Sequence, residues 1–165
     1  MGGRLHLAVV GGGEADDTTC LRAEAVGAAL ARRGAVLVCG GLGGVMEAAC
    51  RGARAEGGMT IGILPGADRR AANPFVDVAV PTGMGEARNA LVVLCADALV
   101  AVGGEFGTLS EIALALRNGK PVVGLDTWEL HRHGRTIDAI VAAGDPEQAV
   151  DLALALAAAA GDDAV

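Results

Sequence analysis

Apolar residues fall in short runs broken by glycine turns, and the runs alternate between two periods. Residues 5–10 (LHLAVV) form a continuous β-rich run that stops at Gly11-Gly12-Gly13. From Thr19 to Arg33 the apolar positions recur at helical spacing, with Gly34 placed to end the helix. The unit repeats: residues 35–44 (AVLVCGGLGG) lead into a helix over 45–56, and 59–66 (MTIGILPG) end a third strand at a Pro-Gly turn. Residues 65–75 (PGADRRAANPF) lack periodicity and read as a loop placed to cover a site. A fourth strand over 76–83, a helix over 86–96, a fifth strand over 97–104 and a periodic helix over 108–119 follow, the last ending at Asn118-Gly119.

Residues 121–126 give a sixth strand and 136–143 (TIDAIVAA) a seventh. A final helix runs from Pro146, whose missing N–H suits a first helical turn, and the closing GDDAV reads as frayed. Strands alternating with helices imply right-handed crossovers and an α/β fold of three layers, around a mostly parallel sheet of about seven strands. In such sheets ligands bind outside the carboxyl ends of the strands.

Composition fits that reading. The 165 residues suit one domain spanning 1–165, and with 52% hydrophobic but 2% aromatic residues the core is built from Ala, Val, Leu and Ile. A formal charge of −7, with scattered basic residues, leaves no electrostatic stripe for DNA or RNA, so no nucleic-acid partner is expected. No apolar run of about 18 residues and no basic leader pattern occurs, which leads us to expect a soluble, cytoplasmic protein with no membrane partner. Cys20, Cys39, Cys50 and Cys95 lie in apolar runs without CxxC spacing and read as reduced core residues.

Three glycine clusters fall on the ligand edge: Gly11-Gly12-Gly13, the Gly40–Gly44 stretch with Gly41 and Gly43, and Gly103-Gly104 with Gly107. Each follows a strand and precedes a helix. Glycine lets backbone approach a ligand, and the helix behind it offers unpaired N–H groups to an anion. Sharp reversal alone also explains glycine in such turns, but convergence of three loops points to a phosphate-bearing small molecule. The dinucleotide pattern GxGxxG is absent from the first loop, which runs GGGEAD, and the only lysine, Lys120, stands outside any Walker loop.

Thr108 and Glu111 have the spacing of a capping box, in which the hydroxyl takes the third amide and the carboxylate reaches back. The alternative is that Gly107, Thr108 and neighbouring amides hold a phosphate while Glu111 faces the crevice for acid–base work. Arg88 and Asn89 open the helix one strand earlier. An arginine at a helix start is electrostatically poor unless it serves a phosphate or Glu111, or makes a surface ion pair.

The segments GMGEARN, ADALVAVGGEFGTLSEIALAL and GKPVVGL resemble the molybdenum-cofactor carrier proteins, Rossmann-like members of a larger group labelled "possible lysine decarboxylase". That group includes the Lonely-guy cytokinin-activating phosphoribohydrolases, marked by PGGxGTxxE and an upstream arginine. The resemblance runs from the first strand to about residue 125. It implies a Rossmann-like fold, a homodimer or homotetramer, and one of two roles. A carrier would hold molybdenum cofactor or an AMP-like nucleotide without requiring a cofactor of its own. A hydrolase would cleave nucleoside 5′-monophosphates, with Gly104, Gly107 and Thr108 on the phosphate and Arg88 and Glu111 at the N-glycosidic bond. Gly103 stands where the hallmark has proline, Glu105 where it has glycine, and Asn89 where it has lysine. A carboxylate at Glu105 repels a phosphate beside it, which favours the carrier.

The decarboxylase label fails on chemistry, because it needs a Schiff-base lysine and Lys120 precedes a strand rather than following one. A sensor that reads a nucleotide leaves no separate mark. His131 and His133 read as a polar loop with no metal, Trp128 as an anchor for that loop or for a subunit contact, and Asp68, Arg69 and Arg70 as solvated charges.

Overall fold

The computed structural model describes residues 3–162. Seven strands, all parallel, form one sheet: β1 (His6–Val10), β2 (Val36–Cys39), β3 (Thr60–Leu64), β4 (Val78–Pro81), β5 (Ala98–Val102), β6 (Val122–Leu125) and β9 (Ile140–Ala142). Their spatial order is β4-β3-β2-β1-β5-β6-β9. β7 (Leu130–Arg132) and β8 (Arg135–Ile137) make a separate antiparallel hairpin. The helices are α1 (Asp17–Arg32), α2 (Val45–Ala55), α3 (Asn89–Leu94), α4 (Phe106–Arg117) and α5 (Pro146–Asp162).

Central strands are apolar on both faces because helices cover both. Leu7 and Val9 of β1, with Ala98, Val100 and Val102 of β5, pack under α1, α2 and α5. Ala8 and Val10, with Leu99 and Ala101, pack under α3 and α4. The result is the expected three-layer α/β architecture. Chain order reverses between β1 and β5, so their carboxyl ends part and leave the crevice that parallel sheets use for ligands.

Several boundaries differ from the sequence reading. The stretch 136–143 is not one strand: 136–137 belong to the exposed hairpin, and only 140–142 enter the sheet. The helix expected over 86–96 divides into a 3-10 turn over Gly85–Arg88 and α3. The loop over 65–75 contains one 3-10 turn, Arg69–Ala71, capped by Asp68. It is pinned to the second glycine loop where Asn73 N–H donates to the Gly41 carbonyl at 2.9 Å and its Nδ2 to the Leu42 carbonyl at 2.9 Å. Of the closing segment expected to fray, Gly161 and Asp162 finish α5 and the rest lies outside the described residues. Cys95, expected in the core, is exposed after the last turn of α3, whereas Cys39 and Cys50 are buried with their sulfurs 3.5 Å apart. Among the described residues no helix is long and apolar enough to cross a membrane.

Candidate functional site

The crevice is a cavity of about 410 Å³. Its back is the end of β1 and the first glycine loop, Gly11, Gly12 and Gly13; its sides are Gly40 and Leu42 from the second loop, Met46 at the start of α2, and the first turns of α4. The 3-10 turn after β4 brings in Arg88, and the start of α3 brings in Asn89.

Arg88 is 8% exposed and Glu111 6%, so an ion pair of opposite charges lies on the cavity floor almost out of water. Arg88 Nη1 stands 3.9 Å from Glu111 Oε1 and donates to Asn89 Oδ1, while Nη2 donates to the Gly40 carbonyl at 3.3 Å. A Cβ at position 40 would lie 2.5 Å from Arg88 Nη2, so glycine there admits the guanidinium. Burial penalises both charges. It raises the Glu111 carboxyl to about 7 despite the opposing pull of Arg88, and it lowers the Arg88 pKa.

Two buried polar atoms on this floor have no hydrogen-bond partner among the described residues, Arg88 Nε and Thr108 Oγ1. Thr108 is 2% exposed. Leaving such groups unpaired costs about 1–3 kcal/mol each, so their presence beside an open cavity marks a place where outside atoms complete the structure. Asn89 Nδ2 donates to Ser110 Oγ at 3.1 Å, and Ser110 donates to the Gly107 carbonyl at 2.7 Å, which ties α3 to the first turn of α4.

The capping box does not form. α4 begins at Phe106 with Glu105 as its N-cap residue, two positions earlier than expected, and Glu105 makes no capping bond. Thr108 therefore sits one turn inside, and Glu111 points at Arg88 rather than back to the helix start. The first amides of α4 have no intrahelical acceptor, and Phe106, Gly107 and Thr108 line the cavity.

Of the residues singled out in the sequence, Gly11, Gly12, Gly13, Arg88, Asn89, Gly107, Thr108 and Glu111 meet in the cavity wall. Gly41, Gly43, Gly103 and Gly104 do not line it; they shape the turns behind it. Gly104 holds φ +126°, and a Cβ there would come within 2.6 Å of the Thr108 side chain. Asp68 and Arg70 pair with each other at 2.8 Å on the exposed loop. Lys120 donates to the Ala96 carbonyl at the opposite, amino edge of the sheet. His131 lies in β7, 3.7 Å from Glu129, and among the described residues no group of three or more His, Cys, Asp or Glu is gathered as a metal site.

Gly40, from the second glycine cluster, lines the cavity as well, whereas sequence reasoning passed over Glu86 and Phe106, which also line it. Phe106 is 80% exposed, and its ring leans on Trp128 with centroids 5.7 Å apart and planes at 38°. Trp128 Nε1 donates to the Glu105 carbonyl at 3.3 Å, so the anchoring expected of the tryptophan is to the rim of the cavity. An aromatic side chain set between glycines at the end of a strand, in a chain with three aromatic residues, was the available signal.

The chain is similar in sequence and fold to known proteins. The sequence model of the SLOG cluster4 family matches residues 4–153. An uncharacterised protein of Archaeoglobus fulgidus is 47% identical over 73% of this chain and 80% of its own. The molybdenum cofactor binding protein of Rippkaea orientalis superposes with a TM-score of 0.82 at 36% identity, covering 92% of this chain and 96% of that one. The molybdenum cofactor carrier protein of Chlamydomonas reinhardtii gives 0.81 at 36% identity, over 94% and 99%. A cytokinin riboside 5′-monophosphate phosphoribohydrolase of Mycobacterium tuberculosis is 37% identical over 64% of this chain and spans 62% of its own length in the match.

Proposed function

Because the chain belongs to the SLOG cluster4 family, we propose that its cavity holds a phosphate-bearing, nucleotide-like small molecule, with molybdenum cofactor the specific candidate. The observation that carries this reading is the pair of unpartnered buried donors, Thr108 Oγ1 and Arg88 Nε. A phosphate has the acceptor oxygens that both lack, and the free amides at the start of α4 add donors and a favourable dipole. The similarity to the cofactor-binding proteins of R. orientalis and C. reinhardtii supports the choice of ligand. Molybdenum cofactor supplies a pterin with a terminal phosphate; Thr108, Gly107 and Arg88 would take the phosphate. The same reading includes a homodimer or homotetramer, supported by the exposed apolar side chains of Met84 and Leu94 and checked by light scattering.

Calorimetric titration with inorganic phosphate and ribose 5-phosphate tests the phosphate site. Thr108→Ala should weaken both about tenfold. Unchanged affinity would remove the phosphate from this loop.

A second reading is a phosphoribohydrolase. Glu111 favours it, because a carboxyl raised to about 7 is poised to give and take a proton at neutral pH, beside a cation suited to developing negative charge. Incubation with AMP and an N6-modified AMP, followed by chromatography for free base, separates the two. Base release that disappears in Glu111→Gln selects the hydrolase, and intact nucleotide selects the carrier.

A further inference from the structure

Glu105 and Phe106 stand together in the cavity wall with exposed side chains that make no capping bond. Glu105 makes no capping bond, and among the described residues its carboxylate has no hydrogen-bond or ion-pair partner. Glutamate is a weak N-cap residue, and its side chain does not fold back onto the free amides of α4 as a helix-stabilising acid would. It reaches across the mouth instead: a Cβ built on Gly12 would lie 3.6 Å from its Oε1. Phe106 presents an 80% exposed ring beside it, backed by Trp128. Leaving an aromatic ring in water at the rim of the cavity is explained if a planar guest covers it.

We propose that Phe106 and Glu105 form a subsite for the heterocycle of the ligand, and that it selects rings presenting two adjacent N–H donors, the 2-amino-4-oxo pyrimidine edge shared by guanine and pterins. The proposal rests on the phosphate reading above. The chemistry is one of complementarity. A carboxylate is an acceptor with two oxygens, so it pairs in parallel with an N–H and a neighbouring amino group. The adenine edge offers one donor beside an acceptor nitrogen, whose lone pair faces the carboxylate and is repelled. Stacking on Phe106 is indifferent to the base, so Phe106 supplies affinity and Glu105 supplies the choice. The phosphate, held deeper at Thr108, is kept off the rim by the Glu105 charge.

Calorimetric titration of the whole chain with ribose 5-phosphate, AMP and GMP tests this. Quenching of Trp128, the only tryptophan, reports where the ring sits. GMP should bind the natural sequence about tenfold or more tighter than AMP and quench Trp128, while ribose 5-phosphate binds without quenching. Glu105→Gln should bring the GMP and AMP affinities to within about twofold, and it should tighten ribose 5-phosphate by removing a like charge. Phe106→Ala should weaken both nucleotides about tenfold and leave ribose 5-phosphate unchanged. Both side chains are exposed, so circular dichroism should show the folded state intact in each variant. Ribose 5-phosphate binding with no preference for GMP, or a preference that survives Glu105→Gln, overturns the subsite while leaving the phosphate site standing. Failure of all three ligands to bind overturns both.

Discussion

The seam between α1 and α2 and the floor of the cavity both bring polar backbone and small residues into close contact, yet they are finished to different standards. At the seam, Gly27 of α1 lies against Ala49 and Gly52 of α2 lies against Glu24. A Cβ on either glycine would fall 1.9 Å from a carbonyl oxygen of the facing helix. The Glu24–Arg51 ion pair, at 2.7 Å, spans the same two helices. The cavity floor is also buried but, among the described residues, holds two donors without partners and a carboxyl raised to about 7. The seam has been packed for stability alone, whereas the floor keeps unfavourable groups that a ligand can satisfy.

The contrast is broken or sharpened by substitution. The largest effect belongs to the seam: Gly52→Ala should destabilise the fold by about 3 kcal/mol in urea unfolding, since the obstacle is backbone and cannot rotate away. Tolerance of the methyl would mean that the helices are free to part.

Glu111 comes next. Its folded pKa is raised from 4.5 to about 7, so the folded state holds the proton more tightly than the unfolded chain. Its contribution is therefore present in full below about pH 4.5 and is lost as pH rises through about 7, a decline of about 3 kcal/mol. Glu111→Gln should flatten stability across that window. An equal decline in the variant would assign it to other groups.

The smallest effect is at Thr108. Replacing the unpartnered hydroxyl by a methyl of the same shape in Thr108→Val should raise stability by about 1 kcal/mol. The same change should weaken ribose 5-phosphate. A loss of stability would show that the hydroxyl is already satisfied in the folded protein.

How much of this was legible depended on whether one period governed a segment. β1, β2 and β5 are buried on both faces, so their continuous apolar runs ending in glycine specified strand, direction and the edge where loops gather. The hairpin over 130–137 was not legible, because its strands are short and largely exposed and carry polar residues such as His131 and Arg135 on no consistent face. The start of α4 misled for a different reason. Thr108 with Glu111 satisfies the local rule for a cap, but the chain leaves β5 through the positive-φ glycines Gly103 and Gly104 and enters the helix two residues sooner. That shift turns Glu111 toward Arg88 and sets Thr108 in the cavity wall. Arg88 itself was found by its electrostatic awkwardness at a helix start, whereas Phe106 was hidden because an exposed aromatic obeys no periodic rule.

One consequence lies in the 3-10 turn over Gly85–Arg88. The guanidinium on the cavity floor is carried by a single short turn joined to a helix of six residues, not by the sheet. Such a segment opens locally at far smaller free energy than the central strands, and each opening returns Arg88 to water and relieves its desolvation. Amide protons over 85–94 should therefore exchange with solvent well before those of β1 and β5. An anion seated on Arg88 would draw the two exchange rates together, so the ligand acts as the missing tether that fastens this turn to its own sheet.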